Sequence, residues 1–211
     1  LVHQPGSVHP ELESRRIITS FIQDLPGAPR RFRPYLPLFP RAVEAWDFAD
    51  FDLVISTSHC VVKGIVTHER QLHISYIHTP MRYLWDQMPQ YLGFLPAPRL
   101  TLPMVRWLTN PLRRWDVESA SRPDVLVANS RYVAERIERV WGREARVLHP
   151  PVDADYFAVA EAGARRGYLV VSALVPYKRV EIAVRLATRR SLELTVIGEG
   201  PERARLQALG G

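Results

Sequence analysis

Two short groups of residues have the types and spacing from which a phosphate-binding site is built. Lys178, followed by Arg179, lies in a polar loop after the apolar strand predicted at 168–171. A lysine ammonium in such a loop acts as a point charge for a phosphate. Gly198 and Gly200 follow a second apolar strand, and a backbone without side chains lets a ligand come close. The glycine pair taken alone favours an ordinary strand-to-helix turn, but together with the lysine it indicates a site for an anionic ligand.

A second group of candidates lies where two other apolar strands end. Residues 56–59 (Ser-Thr-Ser-His) follow the strand predicted at 53–55, and His78 directly follows the strand at 72–77. Polar residues at a strand end suit a ligand-facing edge, and serine and threonine suit the cap of a helix equally well. His78 taken alone is more typical of a hydrogen-bonded structural histidine. The residues by themselves leave these roles open.

The elements that must position these residues alternate between strand and helix. The strand at 168–171, a helical repeat from Val180 and a strand at 192–197 form a βαβ unit. Further strands are predicted at 125–128 and 146–149. In open parallel sheets, ligands bind outside the carboxyl ends of the strands, where both groups of candidates lie. The fold class is therefore α/β.

The helices between the strands are predicted from periodicity and from cap residues. A helical piece is expected at 13–23, and residues 25–40 are expected to be extended or turning because proline excludes helix. Asn129 and Ser130 cap a helix that Gly142 ends. A preceding helix has an apolar face containing Leu112 and Trp115. Its residues expected to point outward are Arg113, Arg114, Asp116 and Glu118.

Composition narrows the classes of partner. The net charge of +6 favours anionic partners, which include nucleotide phosphates, a membrane surface and nucleic acid. Nucleic acid is disfavoured because the arginines are scattered without a platform of stacking aromatic residues. Cys60 is the only cysteine, which fits a reducing cytoplasm, and its expected role is that of a small buried hydrophobe. The sequence has no apolar run of about 18 residues and no metal-ligand cluster, so we expect only peripheral membrane contact and no metal.

The two donor-like segments together resemble a known enzyme family. Val-Pro-Tyr-Lys-Arg at 175–179 and Val-Ile-Gly-Glu-Gly-Pro at 196–201 are similar to the donor half of glycosyltransferase family 4, the retaining GT-B enzymes that use nucleotide sugars. The resemblance implies that Lys178 neutralises the departing diphosphate and is catalytic. Members usually carry arginine after the serine of this loop, where this chain has Ala173. The implied donor-binding residues are Lys178, Arg179, Gly198, Glu199, Gly200 and Pro201.

The earlier strand ends extend the resemblance to a subgroup. The run from Ser58 to Gly64 (Ser-His-Cys-Val-Val-Lys-Gly) and the run from His78 to Asp86 (His-Thr-Pro-Met-Arg-Tyr-Leu-Trp-Asp) are similar to the acceptor-side half of bacterial family 4 mannosyltransferases of O-antigen and exopolysaccharide synthesis. The resemblance implies transfer of a hexose, foremost mannose from GDP-mannose, to a saccharide acceptor without a metal. It makes His78 catalytic, near the transferred sugar. The implied acceptor-side residues are Ser58, His59, Lys63 and Arg82.

The resemblance also implies a domain organisation. Two Rossmann-like domains are expected: an acceptor-side domain at 1–149 without its first unit, a linker at 150–166, and the start of a donor domain at 167–211 that ends before the two glutamates of the family's donor site. Residues 91–106, rich in proline and aromatic residues, are either an acceptor opening that leans on a membrane with a lipid-linked acceptor, or a surface loop. The alternatives to an active enzyme are an inactive fragment and a sugar-nucleotide-binding pseudoenzyme, which Ala173 favours.

Overall fold

The chain, described by a computed structural model at residues 1–86, 98–157 and 166–210, divides into two units, Leu1–Pro151 and Val152–Gly211. In the described part of the first unit, four parallel strands form a sheet in chain order, and two parallel strands form the sheet of the second. The predicted α/β class is confirmed. The strands are β1 Leu53–Ser58, β2 Leu72–Ile77, β3 Val125–Ala128, β4 Arg146–Val147, β5 Tyr168–Val171 and β6 Leu194–Ile197.

Helices and longer loops connect the strands, as parallel neighbours require. The α-helices are α1 Pro10–Glu13, α2 Phe39–Glu44, α3 Arg82–Trp85, α4 Pro98–Glu118, α5 Arg131–Trp141, α6 Val180–Arg190 and α7 Arg203–Gly210. Short 3-10 helices occur at Phe21–Asp24, Arg33–Leu38, Val62–Gly64, Ser119–Ser121 and Pro176–Lys178.

The helix predicted at 13–23 does not form. α1 ends at Glu13, and the next helical turn is the 3-10 helix Phe21–Asp24, capped by the hydroxyl of Ser20. The intervening run contains Ile17, Ile18 and Thr19, whose branched side chains disfavour helix.

The proline-rich stretch at 25–40 is more helical than predicted. Pro34 is the second residue of the 3-10 helix Arg33–Leu38, and Pro40 is the second residue of α2. Proline is tolerated there because the first N–H groups of a helix have no partner within it. Pro34 and Pro40 therefore lie at helix starts, while Pro37 lies inside the 3-10 helix.

The prediction for the helix that follows Asn129 and Ser130 is confirmed. The Ser130 hydroxyl accepts a hydrogen bond from the N–H of Val133, and Gly142 ends α5 in the left-handed conformation at φ 65°. α4 is longer than predicted, since it begins at Pro98 and includes the second half of the stretch at 91–106. Residues 91–97 of that stretch lie outside the described residues.

The register of the first sheet aligns its strand ends. Ser58 pairs with Ile77, Ile77 with Ala128, and Ala128 with Val147. The residues that follow β1, β2 and β3 therefore share one edge of the sheet. Below this edge, an apolar cluster between the sheet and α5 holds the strands in place; its buried members are Ile77, Ala120, Leu126, Ala128, Val133, Ile137 and Trp141.

Candidate functional site

His78 is the first residue after β2, and its backbone is fixed on both sides. Its N–H donates to the carbonyl of Ser58 at 2.8 Å, and its own carbonyl accepts from the side-chain amide of Asn129 at 3.2 Å. The ring of Tyr76 lies edge-on to the imidazole, with 5.4 Å between the ring centres. The side chain is exposed at the carboxyl edge of the sheet. It is therefore held in one place and remains accessible to a ligand.

Thr57 lies in the candidate run at 56–59, but no individual role was predicted for it. Its Oγ1 lies 2.9 Å from Nε2 of His78, across the ladder between β1 and β2. In the described part of the chain, this is the hydrogen bond of the imidazole, so Nδ1 is the nitrogen left for a ligand. A hydroxyl near the end of β1 was the available signal, but only the register shows which residue it meets.

His59 and Arg82 lie close to His78 at the same edge. Partial burial lowers the pKa of His59 below its ordinary value, and the nearby His78 and Arg82 lower it further. We call His59, His78 and Arg82 the histidine edge. Ser58, another predicted acceptor-side residue, is buried, and its hydroxyl accepts from the N–H of Cys60 at 3.3 Å. Its side chain therefore supports the turn after β1.

The structure contradicts the acceptor-side role predicted for Lys63. Its side chain is completely buried, and its ammonium lies 3.2 Å from a carboxylate oxygen of Asp116, which is buried as fully. The prediction that Asp116 points outward from its helix is wrong for the same reason. A buried ammonium requires a buried carboxylate, since an unpaired charge in the interior is costly. Lys63 thus has no surface to present to an acceptor.

In the second unit, the loops after β5 and β6 are joined by backbone hydrogen bonds. The N–H of Leu174 donates to the carbonyl of Glu199 at 2.8 Å, and the N–H of Glu202 donates to the carbonyl of Leu174 at 3.0 Å. A Cβ added to Gly198 would lie 1.9 Å from the carbonyl oxygen of Ser172, and one added to Gly200 would lie 2.3 Å from that of Leu174. At both glycines it is the neighbouring loop that makes the close approach. The approach of a ligand stays a prediction.

Lys178 and Arg179 lie on the outer side of this pair of loops. Lys178 is exposed, with its ammonium 5.7 Å from the ring centre of Tyr177. The Arg179 guanidinium forms an ion pair with Glu181, and this hydrogen bond is the first cause of the lowered pKa of Glu181. Ala173 is exposed in the same loop. The exposed Lys178 ammonium can therefore meet an anionic ligand, whereas the Arg179 guanidinium is already paired with Glu181.

Pro201 and the side chain of Glu199 are exposed where the second loop turns into α7. The six predicted donor-binding residues therefore lie in the two segments that follow the strands of the second unit. Of the predicted acceptor-side residues, His59 and Arg82 are exposed after the strand ends of the first unit, while Ser58 and Lys63 are buried.

Comparison with protein families assigns the chain. The model of the family described as Glycosyltransferase Family 4 matches residues 2–156, which is most of the chain. The chain belongs to glycosyltransferase family 4. This glycosyltransferase is thus a transferase that uses a nucleotide-sugar donor and a saccharide acceptor, and the parallel sheet of its first unit fits the Rossmann-like domains of the GT-B fold. A search among curated proteins found no match.

Other features bear on the chemistry of this glycosyltransferase. Burial raises the pKa of the Cys60 thiol to about 11, which fits its expected role as a small hydrophobe. Over residues 1–86, 98–157 and 166–210, no three His, Cys, Asp or Glu side chains come together as metal ligands. None of the helices in those ranges has the length and apolar character needed to span a membrane.

Proposed function

We propose that this glycosyltransferase moves a hexose, mannose from GDP-mannose, to a saccharide acceptor with retention of configuration. The reaction needs no metal, and it serves the assembly of a cell-surface polysaccharide on the cytoplasmic side of the membrane. His78 contacts the transferred sugar, and Lys178 neutralises the diphosphate as it leaves.

The observation that carries this proposal is the histidine edge. In a member of glycosyltransferase family 4, an exposed and fixed histidine at a strand end is placed to meet a hydroxyl-rich ligand. The lowered pKa of His59 favours its neutral form, which accepts as well as donates hydrogen bonds. Neutral imidazoles suit the hydroxyl groups of a sugar, each of which is both donor and acceptor.

A lipid-linked acceptor at a membrane surface is part of the same proposal. Trp107 and Leu108 are exposed on α4, with the exposed Arg114 further along the helix. Exposed aromatic and basic residues on one helix suit the interface of an anionic membrane. The net charge of +6 adds to this attraction.

The donor half is tested by comparing two neighbouring residues. Charge-assisted hydrogen bonds to a diphosphate contribute about 1.5–3 kcal/mol, so Lys178→Ala should weaken GDP binding roughly 10- to 100-fold in calorimetric titration. Binding of guanosine, which has no phosphate, should weaken far less. Arg179→Ala is the matched control because its guanidinium is engaged by Glu181, and it should weaken GDP binding less than about threefold. Equal losses for GDP and guanosine would place the lysine away from the phosphates.

A second candidate function is sugar-nucleotide binding without turnover. It is favoured by Ala173, which provides none of the phosphate contacts of the usual arginine, and by the pairing of Arg179 with Glu181. Under the enzyme proposal, Ala173→Arg should tighten GDP-mannose binding or raise turnover roughly 10- to 100-fold, the equivalent of one or two charge-assisted contacts. If Ala173→Arg leaves both unchanged or abolishes both, the binding-only function becomes the better account.

A further inference from the structure

The most unusual interior feature of the first unit is the ion pair between Lys63 and Asp116. Both side chains have no exposed surface. The Lys63 ammonium lies 3.2 Å from Oδ1 of Asp116, and it donates to the Asp116 carbonyl and to the Ser119 hydroxyl, each at 2.7 Å. Two donors of the ammonium are thus hydrogen-bonded, and Oδ1 of Asp116, which accepts no hydrogen bond from the described residues, is held by the opposite charge.

The other carboxylate oxygen of Asp116 accepts two indole N–H groups. Trp85 Nε1 lies 2.8 Å from Oδ2, and Trp141 Nε1 lies 2.9 Å from the same atom. The ammonium of Lys63 also lies over two indole rings, 4.7 Å from the ring centre of Trp141 and 5.2 Å from that of Trp115. These contacts therefore fix the orientation of the two side chains as well as the distance between them.

Stability alone is a poor explanation for this arrangement. Burial disfavours the charged form of Lys63 and lowers its pKa, while the Asp116 carboxylate opposes that effect. Buried ion pairs can often be replaced by apolar residues of similar volume without loss of stability. What an apolar replacement cannot supply is a set of directed contacts that fixes several segments at once.

The segments fixed here are the two loops of the histidine edge. Lys63 lies in the 3-10 helix Val62–Gly64, shortly after His59 in the chain. Trp85 is the last residue of α3, which begins at Arg82, shortly after His78. One carboxylate on α4 thus holds the loop after β1 through the ammonium, and the loop after β2 through an indole.

We propose that Lys63 and Asp116 are a positioning pair that sets the placement of His59, His78 and Arg82 relative to one another. Neither residue touches a ligand. Such placement matters for transfer because a misplacement of about 1 Å at a reacting group can slow an enzyme on the order of a hundredfold. The importance of this pair for catalysis rests on the proposed function.

The test uses the 211-residue chain and reads the histidine edge directly by NMR of the imidazole groups. The variant carries Lys63→Met together with Asp116→Asn, which removes both charges while nearly keeping the volumes. We expect it to remain folded by circular dichroism, because no uncompensated charge is left inside. Without the ammonium, the loop after β1 is no longer held, so His59 becomes more solvated and moves away from His78 and Arg82, and its pKa should rise toward the ordinary 6.5.

Ile137→Val is the matched control, because it removes a methyl group from a fully buried side chain in α5 that contacts neither loop through this network. Ile137→Val should lower the free energy of unfolding slightly and leave the His59 pKa unchanged. A folded double variant with the wild-type His59 pKa and wild-type His78 signals would overturn the proposal. The signals are assigned with His59→Gln and His78→Gln.

If the double variant does not fold, hydrogen exchange in the wild-type chain tests the proposal instead. The indole N–H of Trp85, held by Asp116, should exchange with solvent at least about tenfold more slowly than that of Trp107, a residue that is 71% exposed. Equal exchange rates would overturn the proposal. None of these measurements needs sugar transfer, so a failure of donor or acceptor binding would count against the proposed function alone.

Discussion

Adding one methyl group to Gly200 should break the hydrogen bonds that join the two loops carrying the predicted donor residues. The Cβ of Gly200→Ala would lie 2.3 Å from the carbonyl oxygen and 2.7 Å from the carbonyl carbon of Leu174. Both atoms belong to the backbone, so no side-chain rotation relieves the overlap. The Leu174 peptide must move, and with it the hydrogen bonds that it makes to Glu199 and Glu202.

The expected cost has two parts. Gly200 has φ 154°, a backbone conformation that side chains rarely adopt, and residues with a Cβ pay roughly 1–2 kcal/mol for positive φ. Loss of the two hydrogen bonds adds about 0.5–1.5 kcal/mol each. Since alanine also reduces the entropy of the unfolded chain by about 0.4–1 kcal/mol, we expect a net loss of about 1–4.6 kcal/mol.

Gly142→Ala is the control, because it has the backbone strain of a positive φ without steric overlap. Gly142 has φ 65°, and a Cβ added there would meet nothing within 4 Å. It should therefore cost only about 1 kcal/mol. The unfolding free energy of each variant is measured by urea titration, and hydrogen exchange of the Leu174 and Glu202 amides reports on the loops themselves.

In the wild-type chain both amides should be protected, and in Gly200→Ala both should exchange at least about tenfold faster. The reasoning is refuted if Gly200→Ala costs no more than Gly142→Ala, or if the two amides keep their protection. Either result would mean that the loops tolerate the methyl group and that glycine is required there for another reason.

Two further predictions concern histidines of the first unit. His78→Ala should slow sugar transfer about tenfold or more, equivalent to about 1.4 kcal/mol, and leave GDP affinity unchanged; unaltered turnover would make His78 structural. Burial lowers the pKa of His73, which is completely buried beside Ser56, so the unfolded chain binds its proton more tightly. The stabilisation is therefore present above the unfolded pKa of about 6.5 and is lost as the pH falls through the folded pKa, at up to about 1.4 kcal/mol per pH unit. His73→Gln should make the urea-unfolding free energy less dependent on pH between 7 and 5, and an unchanged dependence would contradict this.

Local signals in the sequence determined several elements of the fold. The strands Leu72–Ile77, Val125–Ala128 and Tyr168–Val171 occur where short apolar runs predicted them. Ser130 and Gly142 bound α5 because a cap hydroxyl and a left-handed glycine act on neighbouring peptides only. The candidate residues at strand ends, His78 foremost, could be found for the same reason, since a strand end is a local feature.

Tertiary structure decided which of these residues reach the surface. The sequence predicted Lys63 and Asp116 to be exposed charges. Nothing in their local sequence indicates that they pair across 53 positions. Only the folded chain brings both to the same indole, that of Trp141, and pairing then offsets the desolvation that would exclude either charge alone. The contact between Thr57 and His78 likewise depends on the register of two strands. Burial and register are properties of contacts between distant segments, and for that reason they are fixed only when those segments pack together.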